Sequence, residues 1–96
     1  MLTFTASRLS EGNSLFPSQM ILTENFLTVR VPGLFSGDEV SLPYHVISSV
    51  YVDTPMIGYS SIYIVIYGTE TVGIHGFLQR EVTYMRDVIL NQLYRR

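Results

Sequence analysis

His45 and His75 are the side chains of this sequence best suited to move a proton near neutral pH. A catalytic or metal-binding histidine pair needs further ligands converging on it. Asp53 and Glu70 could serve, but nothing in the spacing of these four residues brings them together. The histidines read as one loop and one strand residue at the surface. No serine stands in a Gly-x-Ser-x-Gly turn, and Gly33, Gly37, Gly58, Gly68, Gly73 and Gly76 form neither G-x-G-x-x-G nor a P-loop. Gly68 and Gly76 read instead as positions of positive φ or close backbone approach. The sequence has no cysteine, which excludes a thiolate nucleophile, a disulfide framework and cysteine-ligated zinc. The expectation is a chain that is not an enzyme and that carries neither metal nor cofactor.

The charged residues point the same way. Eight acids face six arginines, with no lysine and a formal charge of −2, so the basic footprint of a nucleic-acid binder is missing. Arg80, Arg86, Arg95 and Arg96 gather towards the C-terminal end. A lipid-binding cluster usually carries ~4–8 basic residues close together, and Glu81 and Asp87 dilute this one. Charged residues make up 15% of the chain and apolar ones 47%, against about a quarter charged in ordinary domains. So little polar surface implies that some of the exterior is covered by a partner.

Tyrosine, of which there are seven, is the residue for such a surface, apolar along its body and polar at its tip. Tyr51, Tyr63 and Tyr67 fall on strand faces opposite isoleucine and valine, beside Val65. On the C-terminal segment, Tyr84 with Val88 and Leu90 with Tyr94 form i,i+4 apolar pairs outside the main stripe. The candidate interface is therefore Tyr51, Tyr63, Val65, Tyr67, Tyr84, Val88 and Tyr94. The alternative for the strand tyrosines is cross-strand packing, which contributes a few tenths to ~1 kcal/mol per pair.

The elements that must position these residues are mostly strands. Ser61–Tyr67 is uncharged and rich in β-branched and aromatic residues, with Ile62, Ile64 and Ile66 on one face and Tyr63, Val65 and Tyr67 on the other. Being apolar on both faces, it needs a helix or another chain over the second one. Leu2–Ala6 alternates as a short strand or arm, and Ser7–Ser18 reads as loop with Leu15 and Phe16 turned inward. Met20–Thr23 and Phe26–Val31 form a hairpin around Glu24-Asn25, where Asn25 tolerates positive φ. Leu27, Val29 and Val31 face inward; Phe26, Thr28 and Arg30 face solvent. Pro32-Gly33 makes a type II turn. Val40–Leu42 is an edge or strand end because Pro43 stops it, and Ser49–Asp53 and Thr71–His75 are further strands. Between them Thr54–Tyr59 is a loop that is apolar through Met56 and Ile57.

After Gly76 the period changes to 3.6. Leu78, Val82, Met85, Ile89 and Leu93 make one stripe with Arg80, Asp87 and Asn91 opposite, predicting a helix over Gln79–Tyr94. Leu78 is a poor N-cap, and Arg95 and Arg96 suit the C-terminal end of the dipole. The whole is one α+β domain over residues 1–96, with 1–18 as N-terminal strand and loop. It has six to seven antiparallel strands, in a bent sandwich or partly open barrel, and one closing helix. The start lacks a secretory leader pattern and no apolar run spans a bilayer, so the expectation is cytoplasmic.

One resemblance sharpens this. Ser41-Leu42-Pro43-Tyr44-His45-Val46-Ile47-Ser48-Ser49-Val50 is similar to the "I-P-Y-x-x-I-S-x-V" segment of bacterial pleckstrin-homology-like domains. Ile74-His75-Gly76-Phe77 followed by a closing helix resembles that family's glycine-aromatic corner. The resemblance implies two nearly orthogonal antiparallel sheets, seven strands with Leu2–Ala6 as the first, and a helix over one open corner. It implies a scaffold that assembles with copies of itself, since several bacterial members are thought to do so. Eukaryotic relatives bind phosphoinositides through basic residues around the first hairpin. Here that region offers Arg8, with Arg30 as the other candidate anion contact, and Glu24-Asn25 stands in the clearest turn. The leading expectation is thus a non-catalytic self-associating module. Peripheral binding of phosphoinositide or other anionic lipid is the alternative, and an enzyme around His45 or His75 a distant third.

Overall fold

A computed structural model of the chain describes residues 1–6, 18–31, 38–68 and 71–94. Arg8, Leu15, Phe16, the Pro32-Gly33 turn, Glu70, Arg95 and Arg96 lie outside the described residues. Four strands, β1 (Leu2–Thr5), β2 (Gln19–Leu22), β3 (Phe26–Val31) and β4 (Asp38–Pro43), form an antiparallel sheet in chain order. A single 3₁₀ turn at Tyr44–Val46 then leads to β5 (Ile47–Asp53), β6 (Ser60–Ile66) and β7 (Thr71–Phe77), a second antiparallel sheet in chain order. Helix α1 (Gln79–Tyr94) follows. The strands form two separate sheets and do not close into a barrel. No helix among the described residues is long and apolar enough to cross a membrane.

In the first sheet β4 is an edge strand, and Pro43, its last residue, sits opposite Phe26, a position where a missing N–H costs nothing. The β2–β3 hairpin turns at Glu24-Asn25, but not through positive φ at Asn25: no described non-glycine residue has φ above zero. The Thr23 hydroxyl does the work instead, accepting the N–H groups of Asn25 at 3.3 Å and Phe26 at 3.0 Å, a side-chain turn that replaces the backbone device. Thr28 also departs from expectation. It shares a strand face with exposed Phe26 and Arg30 yet is buried, because its Oγ1 and Ser41 Oγ pair across β3–β4 at 2.8 Å and each hydroxyl satisfies the other.

In the second sheet the rows Val52–Ile62–Ile74 and Val50–Ile64–Val72 face the core. Two register shifts adjust this alternation. Ile47 pairs with Ile66 and Ser49 with Val65, leaving Ser48 as an extra residue whose hydroxyl donates to Val65 O at 3.1 Å. Ser60 pairs with Phe77 and Ser61 with His75, leaving Gly76 as the extra residue. Each shift is a β-bulge, and a bulge reverses the in–out phase of what lies beyond it. So Ile47 and Phe77 both turn into the core, at 1% and 0% exposure. β5 therefore starts two residues before the period-2 pattern shows it.

Helix α1 packs chiefly on β5, β6 and the 3₁₀ turn, burying Val82, Met85 and Ile89, while Leu78 at the start of the stripe stays 44% exposed. Its N-terminus is better capped than Leu78 suggests. Glu81 Oε1 accepts the Leu78 N–H at 2.9 Å, the acidic half of a capping box.

Tyr44 ties the two sheets together, its hydroxyl donating to Thr23 O of the hairpin at 2.7 Å. Burial pushes this phenol above its ordinary value of 10.0. Above pH 10 the native state then holds a proton that the unfolded chain releases, so stability present below that value is lost as pH rises through the folded one. Tyr44→Phe should cost about 1 kcal/mol at neutral pH and flatten the alkaline decline. Thermal melts of both proteins from neutral to strongly alkaline pH check this; parallel declines would contradict it.

Candidate functional site

The outer face of the second sheet is built from three cross-strand rows: Asp53–Ser61–His75, Tyr51–Tyr63–Gly73 and Ser49–Val65–Thr71. α1 contributes Val82, Met85 and Ile89 to the shared core, and Ser49, Tyr51, Asp53, Thr71, Gly73 and His75 remain exposed. The helix therefore lies on the inner side, and the second apolar face of β6 is not covered by it.

The middle row is the most ordered feature of this face. Tyr51 and Tyr63 stack with ring centroids 4.9 Å apart and planes 17° from parallel. Tyr63 lies over Gly73, where an added Cβ would come within 2.7 Å of its Cδ1 and Cε1. The glycine makes room for the ring, and the flattened ring supports Tyr51, which is 50% exposed. A stacked pair of this kind contributes about 0.5–1.5 kcal/mol beyond area burial. It also fixes two rings as a flat, rigid platform with little rotamer entropy left to lose on contact with a partner.

The other candidate interface residues do not share this face. Tyr67, at the end of β6, is 63% exposed and its N–H donates to Val46 O at 3.0 Å. With Tyr94 it lines a groove of about 370 Å³ between the start of β5 and the C-terminal turn of α1. Tyr84 lies on the opposite half of the helix, edge-on to Phe4 with centroids 6.0 Å apart. Val88 is partly buried against the core. The seven residues therefore do not form one patch: Tyr51, Tyr63 and Val65 share the outer face, Tyr67 and Tyr94 the groove, and Tyr84 and Val88 lie elsewhere on the helix.

His75 Nδ1 lies 2.7 Å from Ser61 Oγ, a contact that only the register reveals. As a nucleophile and base the pair would want an acid behind the imidazole. The row order places Asp53 opposite Ser61 instead, with the buried serine in the middle. His45 lies on the 3₁₀ turn, at the end of the second sheet where Ile47 enters, whereas His75 is in the row of Asp53, about 20 Å of strand away. Among the described residues no three His, Asp or Glu side chains are grouped as a metal site. Arg30 pairs with Glu39 at 3.3 Å and reaches Gln19 Oε1 at 3.5 Å, so its charge is matched within its own sheet.

The candidate interface read from the sequence leaves out two of the most exposed apolar residues. Met56 and Ile57, in the loop between β5 and β6, are 102% and 91% exposed. The signal was their presence in a loop without a single charge, a composition that tucks inward more often than it projects. Comparison with known families, with curated proteins and with solved structures finds no match to this chain.

Proposed function

We propose that this protein is a non-catalytic interaction module of pleckstrin-homology-like type that associates with copies of itself through the outer face of its second sheet. The observation that carries the reading is the Tyr51–Tyr63 stack, preorganised over Gly73 and half-exposed on a face that the helix leaves open. Rigid aromatic residues of this kind are enriched among those that dominate binding energy. The strand order of the two sheets and the C-terminal helix support the family assignment, as does the Tyr44-containing segment between them. The pairing of Arg30 with Glu39 favours this reading over an anionic-lipid site.

The test is sedimentation over a wide concentration range. Wild type should exceed its monomer mass of 10.9 kDa, and Tyr51→Glu should lower the association constant by about thirtyfold, the effect of losing one hot spot of ~2 kcal/mol. Losing the stack on Tyr63, worth about 0.5–1.5 kcal/mol, should also lower the melting temperature by roughly 2–12 °C, so sedimentation is read well below both midpoints. A wild-type chain that stays monomeric at the highest concentration would remove the proposal.

A further inference from the structure

We infer that copies of this chain meet edge to edge, β5 of one running antiparallel to β5 of the other about a two-fold axis at Tyr51. The inference rests on the self-association proposed above and supplies the geometry of the contact.

The two sheets have four edge strands, and three of them carry features that block pairing. β1 is only four residues long. β4 carries Asp38, Glu39 and Pro43. β7 is interrupted by Gly73 and by the bulge at Gly76. β5 is the exception. Beyond its bulge at Ser48 it runs Ser49-Val50-Tyr51-Val52-Asp53, with no glycine, proline or basic residue and its one charge at the end. Among the described residues, the backbone hydrogen bonds made outside strand pairing and helices include none from this segment. Alternate residues of an edge strand turn both N–H and C=O away from the sheet, and a second extended strand satisfies such a row.

The side chains select a second copy and its register. Opposed residues in an antiparallel pair lie on the same face, so a two-fold axis perpendicular to the sheet has to pass at a residue. Tyr51 is the middle of the five, and a register centred there uses the whole segment. Ser49 then faces Asp53 of the second copy, where its hydroxyl can donate to the carboxylate, and the two Asp53 side chains stand at opposite ends of the contact. Val52, on the core side of the sheet but only partly buried within one chain, faces Val50 of the second copy. On the outer side the tyrosine row runs on through the axis, with each Tyr51 still stacked on its own Tyr63. Centring on Val50 instead would set Asp53 against Ile47, which the bulge has turned into the core.

Single cysteines test the register, because the chain has none of its own. Directly opposed residues have Cα atoms about 4.5–5.5 Å apart, within the span of about 4.4–6.8 Å that a disulfide bridges. An oxidised equimolar mixture of full-length Ser49→Cys and Asp53→Cys should therefore give a covalent dimer. Either variant alone should give little, since its two cysteines stand about 13 Å apart along the strands. Thr71→Cys, on the far strand of the same face, should give none, its two copies being about 24 Å apart. Ser49, Asp53 and Thr71 are all exposed, so these substitutions leave the core intact. In sedimentation velocity Ser49→Arg should strengthen association several-fold by facing Asp53 of the second copy, and Ser49→Glu should weaken it several-fold. Association that persists without a cross-link in the mixture, or with Thr71→Cys linking instead, overturns the edge contact and leaves the outer-face reading standing. Weakening by both Ser49 variants alike does the same. A wild-type chain that is monomeric at every concentration removes both, and leaves the edge to an extended segment of another protein.

Discussion

Phe77→Ala should remove about 3–5 kcal/mol of stability and lower the melting temperature by something on the order of 15–30 °C. Phe77 is the largest of the fully buried side chains, at 0% exposure, and belongs to the cluster that joins β7 to the strands and to α1. It stands at the end of β7, one residue before the chain turns into α1, where little surrounding structure is free to collapse into the vacated space. A domain of this size has roughly 5–14 kcal/mol in total, so the variant would sit near the limit of folding at body temperature. Urea unfolding gives the number, and an unchanged m-value would assign the loss to a cavity rather than to a more compact unfolded state. Leu78→Ala is the control. One residue on but 44% exposed, it should change stability by no more than about 1 kcal/mol. A Phe77 variant that loses as little as Leu78 would mean that this ring does not fill the core.

That contrast between neighbours is where sequence reading reaches its limit. The helix Gln79–Tyr94 was legible to the residue because its 3.6 period runs unbroken from Val82 to Ile89. At the other end, alternation over Leu2–Ala6 left a short strand and an arm equally open, and it is the pairing of Leu2–Thr5 with β2 that makes it a strand. A period can be followed only while its phase holds, and the bulges at Ser48 and Gly76 reset it. Strict alternation from Ile74 would put Phe77 outside with His75, and from Val50 it would put Ile47 outside with Ser49. Both are instead core residues, and β5 consequently looked two residues shorter than it is. The Tyr51–Tyr63–Gly73 row was out of reach for a different reason. Its members are far apart in the chain and meet only through the pairing register, so the tyrosines could be assigned to strand faces without the glycine that holds them flat. Met56 and Ile57 were visible as an apolar loop, but whether such residues tuck in or project depends on the loop's path, which composition does not encode.

Gly76→Val is the second large effect, expected at about 2–3 kcal/mol, because it acts on the bulge that aims Phe77. Gly76 has φ of 117° and Gly68 one of 71°, but Gly76 is also buried within the sheet, where the backbone cannot relax towards an easier conformation. A β-branched residue at such φ is strained by on the order of 1–3 kcal/mol. The strain can be escaped by removing the bulge, and that route returns Phe77 to the outer face and empties the core. The two substitutions should therefore be coupled. Once Phe77→Ala has removed the ring there is nothing left to misdirect, so Gly76→Val in that background should cost at least 1 kcal/mol less than in wild type, a non-additivity of the size seen between contacting residues. A double-mutant cycle by urea unfolding, read in a background stable enough to fold both single variants, measures it directly. Strict additivity would show that the glycine serves only its own backbone, and that the direction of Phe77 is set by its packing partners instead.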